Sequence, residues 1–164
     1  MRRRDLITLI GAAAVAPMRI ACAQQAQLPV IGFLHSGSPG PFAKLVAAFR
    51  EGLREAGYMP GQNVRVDFRW AEGNYELLPE LALDLVRRDV SVIVAGGGSP
   101  AMAAKNATRT IPIVFISGGD LVGSGLVTGL ERPGGNATGI NLVSTALNEK
   151  RLRLLHELVP NTTL

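Results

Sequence analysis

From residue 28 onward, short apolar runs alternate with amphipathic stretches. "LPVIGFL" (28–34) is continuously apolar, which predicts a strand buried on both faces. Phe42, Leu45, Val46, Phe49, Leu53 and Ala56 then fall at helical spacing, with Lys44, Arg50, Glu51, Arg54 and Glu55 around the other sides. Gly57 is placed to cap that helix at its C-terminus. "NVRVDFRW" (63–70) alternates: Val64, Val66 and Phe68 point one way, while Arg65, Asp67 and Arg69 point the other, as in a half-exposed edge strand. Residues 75–88 predict a helix with Leu78, Leu81, Ala82 and Leu85 on one face. "VSVIVAG" predicts the next buried strand, Ser99 to about Thr108 a helix, and "IPIVFI" a fourth strand that tolerates Pro112 only near its start. The glycine-rich stretch 117–141 assigns itself to no element. Residues 146–159 predict a last helix, with Leu147, Leu154, Leu155 and Leu158 inward and Lys150, Arg151 and Arg153 outward.

Strand and helix in strict alternation predict an α/β fold, a doubly wound parallel sheet with helices on both faces. Ligands of such sheets sit outside the carboxyl ends of the strands. Three loops fall at that edge: His35-Ser36-Gly37-Ser38, Gly96 to Ser99, and Ser117-Gly118-Gly119-Asp120. Ser99 is a good N-cap and Pro100 a good first helical residue, so a helix N-terminus that suits an anion is expected there. No lysine follows the glycines, as a phosphate loop requires, and residue 101 is alanine rather than the last glycine of a dinucleotide fingerprint. What remains open is a seat for a carboxylate or small polar ligand, or plain turn geometry.

Catalytic chemistry finds little support. His35 and Ser36 are adjacent without forming a working pair, and no Gly-x-Ser-x-Gly elbow is present. The only other histidine, His156, lies on a charged helix and reads as solvated, so neither histidine has a partner at metal-ligand spacing. Asp120 has the chemistry of an acid or base, though capping or ligand binding is the commoner role. Trp70, at the end of the second strand, reads as core or as a stacking surface, with core favoured. The sequons at Asn106, Asn136 and Asn161 matter only in a eukaryotic secretory pathway.

Charge changes meaning once the N-terminus is considered. Arg2, Arg3 and Arg4, the short apolar run 6–17 and Ala21-Cys22-Ala23 read as an export signal over residues 1–23. That run is too short to span a bilayer, so no stable membrane insertion is expected. Arg3-Arg4-Asp5-Leu6-Ile7 resembles the twin-arginine pattern, with ordinary secretory export as the alternative. Arg19 at the lipobox leucine position argues against lipidation of Cys22. The signal carries four arginines against one aspartate, so of the formal +4 the remainder keeps only +1, which supports no nucleic-acid partner. Cys22 is the sole cysteine, so cleavage after Ala23 leaves none for a disulfide or thiolate site.

Several segments together carry a family resemblance. "IGFLHSGSP", "FREGLREAGYMPGQNVRVDFRWAEGNYELLPELALDLV", "AGGGSPAMAAKNATRTIPIVF", "GDLVGSGLVTGLERPGGNATGINL" and "EKRLRLLHELVP" cover nearly all of 29–160. They resemble the N-terminal half of bacterial ABC-transporter substrate-binding proteins, in the group whose best-known members bind aromatic amino acids. Ile111 to Phe115 and Arg132 to Gly139 are the specific pieces; Asp120-Leu121-Val122 departs from the family's Asp-Pro-Val. The resemblance implies a flavodoxin-like lobe of a periplasmic binding protein over 24–160, a crossover starting at 161–164, and a second lobe absent from this chain. It implies a periplasmic location, ABC permease subunits as partners, no cofactor and no catalysis. It places ligand contacts at Ser36, Ser99, Pro100, Ala101, Ser117 and Asp120, for an amino acid or similar small carboxylate. Such pockets enclose the ligand between two walls, and one lobe supplies one wall. An exported enzyme of the same architecture using Asp120 or Ser36, and a truncated non-binding remnant, are the alternatives.

Overall fold

A computed structural model describes residues 28–142 and 148–159. The export-signal, Leu147 and 161–164 expectations lie outside the described residues. Five parallel strands, β1 (Val30–His35), β2 (Arg65–Trp70), β3 (Val92–Gly96), β4 (Ile113–Ser117) and β5 (Ala137–Asn141), form one sheet in the order β2-β1-β3-β4-β5. The helices are α1 (Ala43–Glu55), α2 (Leu78–Arg87, entered through a 3-10 turn at Tyr75–Leu77), α3 (Gly98–Ala107) and α4 (Asn148–Leu158). The doubly wound expectation holds, with β2 at an edge as its alternation suggested.

The order reverses between β1 and β3: the chain steps from β1 out to β2, then crosses back to β3 and continues outward. Right-handed crossovers then place α1 on one face and α2 and α3 on the other. The α2–α3 face holds the core. Leu34, Ile93, Ala95, Ile113 and Phe115 from the strands meet Leu78, Ala82 and Leu85 of α2 and Ala101 and Ala104 of α3. Small alanines let α3 lie close to the sheet, which is why its sequence lacks a strong apolar stripe. On the other face, Phe33 packs against Phe49 of α1, Phe68 and Trp70, with ring centroids 5.2–5.7 Å apart. No residue of α1 is fully buried, and a cavity of about 330 Å³ lies beside it, lined by Val46, Ala47, Phe68 and Trp70 among others.

Helix ends follow local chemistry. Gly57, at φ +84°, donates to Arg54 O while Tyr58 donates to Leu53 O, a Schellman closure of α1. Asn74 Oδ1 accepts from Glu76 N–H and starts the turn into α2. Two expectations are corrected. First, α3 begins at Gly98 with Gly97 as its N-cap, so Ser99 is not the cap and Pro100 is not the first helical residue; both lie in the first turn. Second, Leu154, Leu155 and Leu158 of α4 are not inward but about half or more exposed.

The unassigned stretch 117–141 contains β5. The loop before it is pinned by buried Leu121, Leu126 and Val127, and by Lys105 Nζ donating to Gly125 O (2.6 Å) and Leu126 O (2.9 Å). Gly134 and Gly135 both take φ near +66°, and Asn136 Nδ2 donates to Ile111 O (2.8 Å) and Thr108 O (3.3 Å). The Arg132–Gly139 motif therefore builds the entry to β5, at the sheet edge opposite the strand carboxyl ends. No described helix is long and apolar enough to cross a membrane.

Candidate functional site

The reversal between β1 and β3 separates the loops leaving these two strands, and a crevice at their carboxyl ends follows. The register sets Trp70, His35, Gly96, Ile116 and Ile140 in one row across that end, with Ser117 beside Asn141 just beyond.

Each of the three glycines after β3 has its own cause. Gly96 faces His35: a Cβ there would land on Cδ2 of the imidazole and lie 3.1 Å from Nε2. Gly97 has φ +118° and ψ 165°, a conformation that side chains rarely adopt. Gly98 lies against Ser117, whose Oγ would be 3.2 Å from an added Cβ. The chain therefore turns tightly enough to bring the start of α3 beside the end of β4.

The first intrahelical bond of α3 at this end runs from Ala101 N–H to Gly97 O (3.1 Å). Before it, the N–H groups of Gly98 and Ser99 have no intrahelical acceptor, and Pro100 has no N–H to leave unpaired. These two donors and the positive helix end border a cavity of about 450 Å³. Ser99, Met102, Ser117, Asp120, Ser124 and Leu126 line it. Asp120 Oδ1 accepts from Gly123 N–H (2.8 Å) and Val122 N–H (3.2 Å), which fixes the carboxylate as the cap of its own turn. Ser117 is buried, and its Oγ has only a long 3.5 Å contact from Gly119 N–H.

Three of the six expected ligand residues, Ser99, Ser117 and Asp120, thus share one cavity. Pro100 and Ala101 sit beside it with their side chains turned into the core. Ser36 lies on the β1 loop and does not line the cavity; its carbonyl accepts from Gly73 N–H (2.7 Å), and Glu72 N–H donates to Gly37 O (3.0 Å). Those bonds tie the β1 and β2 loops into one lip.

His35, the last residue of β1, is buried and acts as a packing residue. Its ring packs 4.0 Å from Phe42 and 5.3 Å from Trp70, and its Nδ1 accepts from Gly37 N–H at 2.9 Å. That bond leaves the proton on Nε2, and burial lowers the imidazole below its ordinary value, so the ring is neutral at neutral pH. Trp70 combines both of its readings: it closes the Phe33–Phe68 cluster and is only partly buried at the carboxyl edge. Among the described residues, no group of three His, Cys, Asp or Glu side chains is placed to hold a metal.

Comparison with known proteins adds the family. A model of ABC transporter substrate binding proteins matches residues 37–163. A tyrosine-binding protein of Clostridioides difficile is 34% identical over 117 residues, 71% of this chain and 33% of that protein. A conserved domain protein from Vibrio cholerae superposes with a TM-score of 0.73 at 31% identity, covering 82% of this chain and 45% of that one. An ABC domain from Streptococcus pneumoniae in complex with L-Trp gives a TM-score of 0.63 at 29% identity, covering 70% of this chain and 38% of that one. The chain thus spans about one third of that curated relative's length and less than half of these two structures.

Proposed function

Because the chain belongs to the ABC transporter substrate-binding protein family, whose members bind rather than catalyse, we propose that it forms one ligand-seating lobe of an importer's solute receptor. The solute is an α-amino acid, with an aromatic side chain as the preferred class. The observation that carries this is the pairing of opposite charges in one cavity: the free N–H groups that open α3, and the Asp120 carboxylate. A zwitterion matches both, its carboxylate at Gly98 and Ser99 N–H and its ammonium toward Asp120 Oδ2. Ser117 Oγ, with only its long Gly119 contact, supplies an orienting hydroxyl. The aromatic preference draws on the tyrosine- and tryptophan-binding relatives and on the Phe42–His35–Trp70 corner.

The cavity is open on one side, and in this reading a second lobe of the complete receptor would supply the facing wall. Assayed as this chain alone, such a one-walled seat is expected to bind weakly, with a dissociation constant on the order of millimolar. ABC permease subunits are the partners of the complete receptor. Residues 1–23 direct export to the periplasm, by the twin-arginine route or the general secretory one.

NMR titration of the chain with L-Trp, tryptamine and indole-3-propionate tests the reading. Shifts at Gly98, Ser99 and Ser117 amides with L-Trp, much weaker for both analogues, are expected. Equal response to tryptamine, which lacks the carboxylate, would sink the assignment of the α3 N-terminus. Asp120→Asn is expected to weaken L-Trp while leaving indole-3-propionate unchanged.

A further inference from the structure

On the sheet face that α1 covers, the fit is loose on the β2 side. Phe68 and Trp70 of β2 point toward α1, their rings nearly parallel (5°) with centroids 6.2 Å apart, and form a flat aromatic floor. Opposite them α1 presents Ala43, Val46, Ala47 and Arg50, at i, i+3, i+4 and i+7 along one stripe. The two alanines are too short to fill the space above the rings, and a cavity of about 330 Å³ remains. That volume falls within the roughly 300–1,000 Å³ of small-molecule sites. All of its lining residues lie within 39–70, between one helix and the strand beneath it.

The cavity is apolar except at Arg50, whose guanidinium sits 5.4 Å from the centre of the Phe68 ring. Stacking on a ring face uses no N–H donor, so the planar fork stays available for a carboxylate. The neighbouring acidic groups are committed elsewhere: Glu51 pairs with Arg54, and Asp67 with Arg65 on the other face of β2. Among the described residues, no carboxylate pairs with Arg50 and none lines the cavity.

We propose that this cavity is a second binding site, separate from the carboxyl-edge seat, for an apolar monocarboxylate such as an arylalkanoate. The carboxylate pairs with Arg50 over Phe68, and the apolar part lies on Trp70 between Ala43 and Ala47. A free amino acid fits less well, because its ammonium meets a cation and no acidic side chain. The site therefore selects a different class from the zwitterion assigned to the start of α3. Occupancy adds apolar contact to α1, which has no fully buried residue of its own, and so ties that helix to the sheet.

NMR titration of the whole chain with 3-phenylpropionate to about 20 mM tests this, a range suited to the millimolar affinity of a small open site. Expected are saturable shifts at the Ala43, Ala47 and Arg50 amides, a change in Trp70 fluorescence, and slower hydrogen exchange in α1 with α2 unchanged. Arg50→Gln is expected to weaken binding about tenfold or more, through loss of a charge-assisted hydrogen bond. Ala47→Phe fills the cavity while keeping Arg50, and is expected to abolish binding. 3-Phenylpropylamine and L-phenylalanine are expected to shift these amides much less. Both positions are exposed on α1; if Ala47→Phe fails to fold, Arg50→Gln carries the test alone. Unmoved α1 amides overturn the proposal, as does an equal response to the amine or an affinity that Arg50→Gln leaves unchanged. Shifts confined to Gly98, Ser99 and Ser117 would assign the acid to the carboxyl-edge seat and overturn it too.

Discussion

Substituting Gly96 by alanine isolates the packing at the heart of the candidate site. The new methyl lands on the His35 ring, which has no room to retreat. Phe42 stands 4.0 Å away on one side and Trp70 5.3 Å away on another, while Nδ1 is held by the Gly37 N–H. Overpacking of this kind costs about 1–3 kcal/mol. Losing the Gly37 bond adds about 1 kcal/mol. The stiffer unfolded chain returns about 0.4–1 kcal/mol. The net expectation is a loss of about 1–3.6 kcal/mol, the range these three contributions leave. Gly52→Ala is the control: nothing lies within 4 Å of an added Cβ in exposed α1, so it is expected to gain about 0.5–1 kcal/mol. Urea unfolding followed by Trp70 fluorescence reads both, since Trp70 is the only tryptophan and touches His35. The decisive comparison repeats Gly96→Ala in a His35→Ala background, where the penalty should largely vanish. A Gly96→Ala chain as stable as wild type, or a penalty undiminished without His35, refutes the reasoning.

Other expectations follow from the same contacts. Burial lowers the His35 pKa, so its unfolded form takes up a proton first: stability should be full above pH 6.5 and decline as pH falls toward the folded value, a slope that His35→Asn abolishes in urea titrations at stepped pH. Asp84 is held below its ordinary range by hydrogen bonds from Arg69 (2.7 Å) and Arg88 (2.8 Å), so the effect of Asp84→Asn should fade as pH drops through the carboxylate range and shrink in high salt. Asn136→Ala unpairs the Thr108 and Ile111 carbonyls; about 1–3 kcal/mol is expected, with faster hydrogen exchange across Ala137–Asn141. Lys105→Met should speed exchange in the 121–127 loop while leaving the α2 amides unchanged, because it removes the clamp on Gly125 and Leu126.

The sequence carried the architecture further than it carried the site. β1, β3 and β4 announce themselves because both faces are apolar, and β2 because its faces differ. β5 does not: "ATGIN" has three exposed residues in five and a glycine whose added Cβ would collide with the Phe115 carbonyl, so tertiary pairing rather than local pattern makes it a strand. Periodicity identified α4 as amphipathic, yet amphipathicity does not name the surface a helix covers, and its leucines face solvent. The glycine run read correctly as a strand-end loop. Its three separate causes depend on His35, on backbone torsion and on Ser117, and two of those partners are distant in sequence. That Ser99, Ser117 and Asp120 lie together at the strand carboxyl ends was legible because each ends or follows a recognisable strand. His35 was weighed as half of a missing catalytic pair, although an imidazole ending an apolar strand, one residue before the loop, is a packing position.

The unequal weight of the two sheet faces reaches into how the molecule breathes. Nearly all fully buried residues lie under α2 and α3, whereas α1 contributes none and sits beside a cavity. Opening α1 uncovers the Phe33 aromatic cluster but leaves the larger core under α2 and α3 in place, so that half of the domain is expected to open locally before the global transition. The lip formed by the β1 and β2 loops is joined to this softer half through Phe42, while the start of α3 belongs to the rigid one. In the proposed seat a solute would meet one yielding jaw at the β1–β2 lip and one fixed anchor at the start of α3, and its exchange is expected to follow the opening of α1.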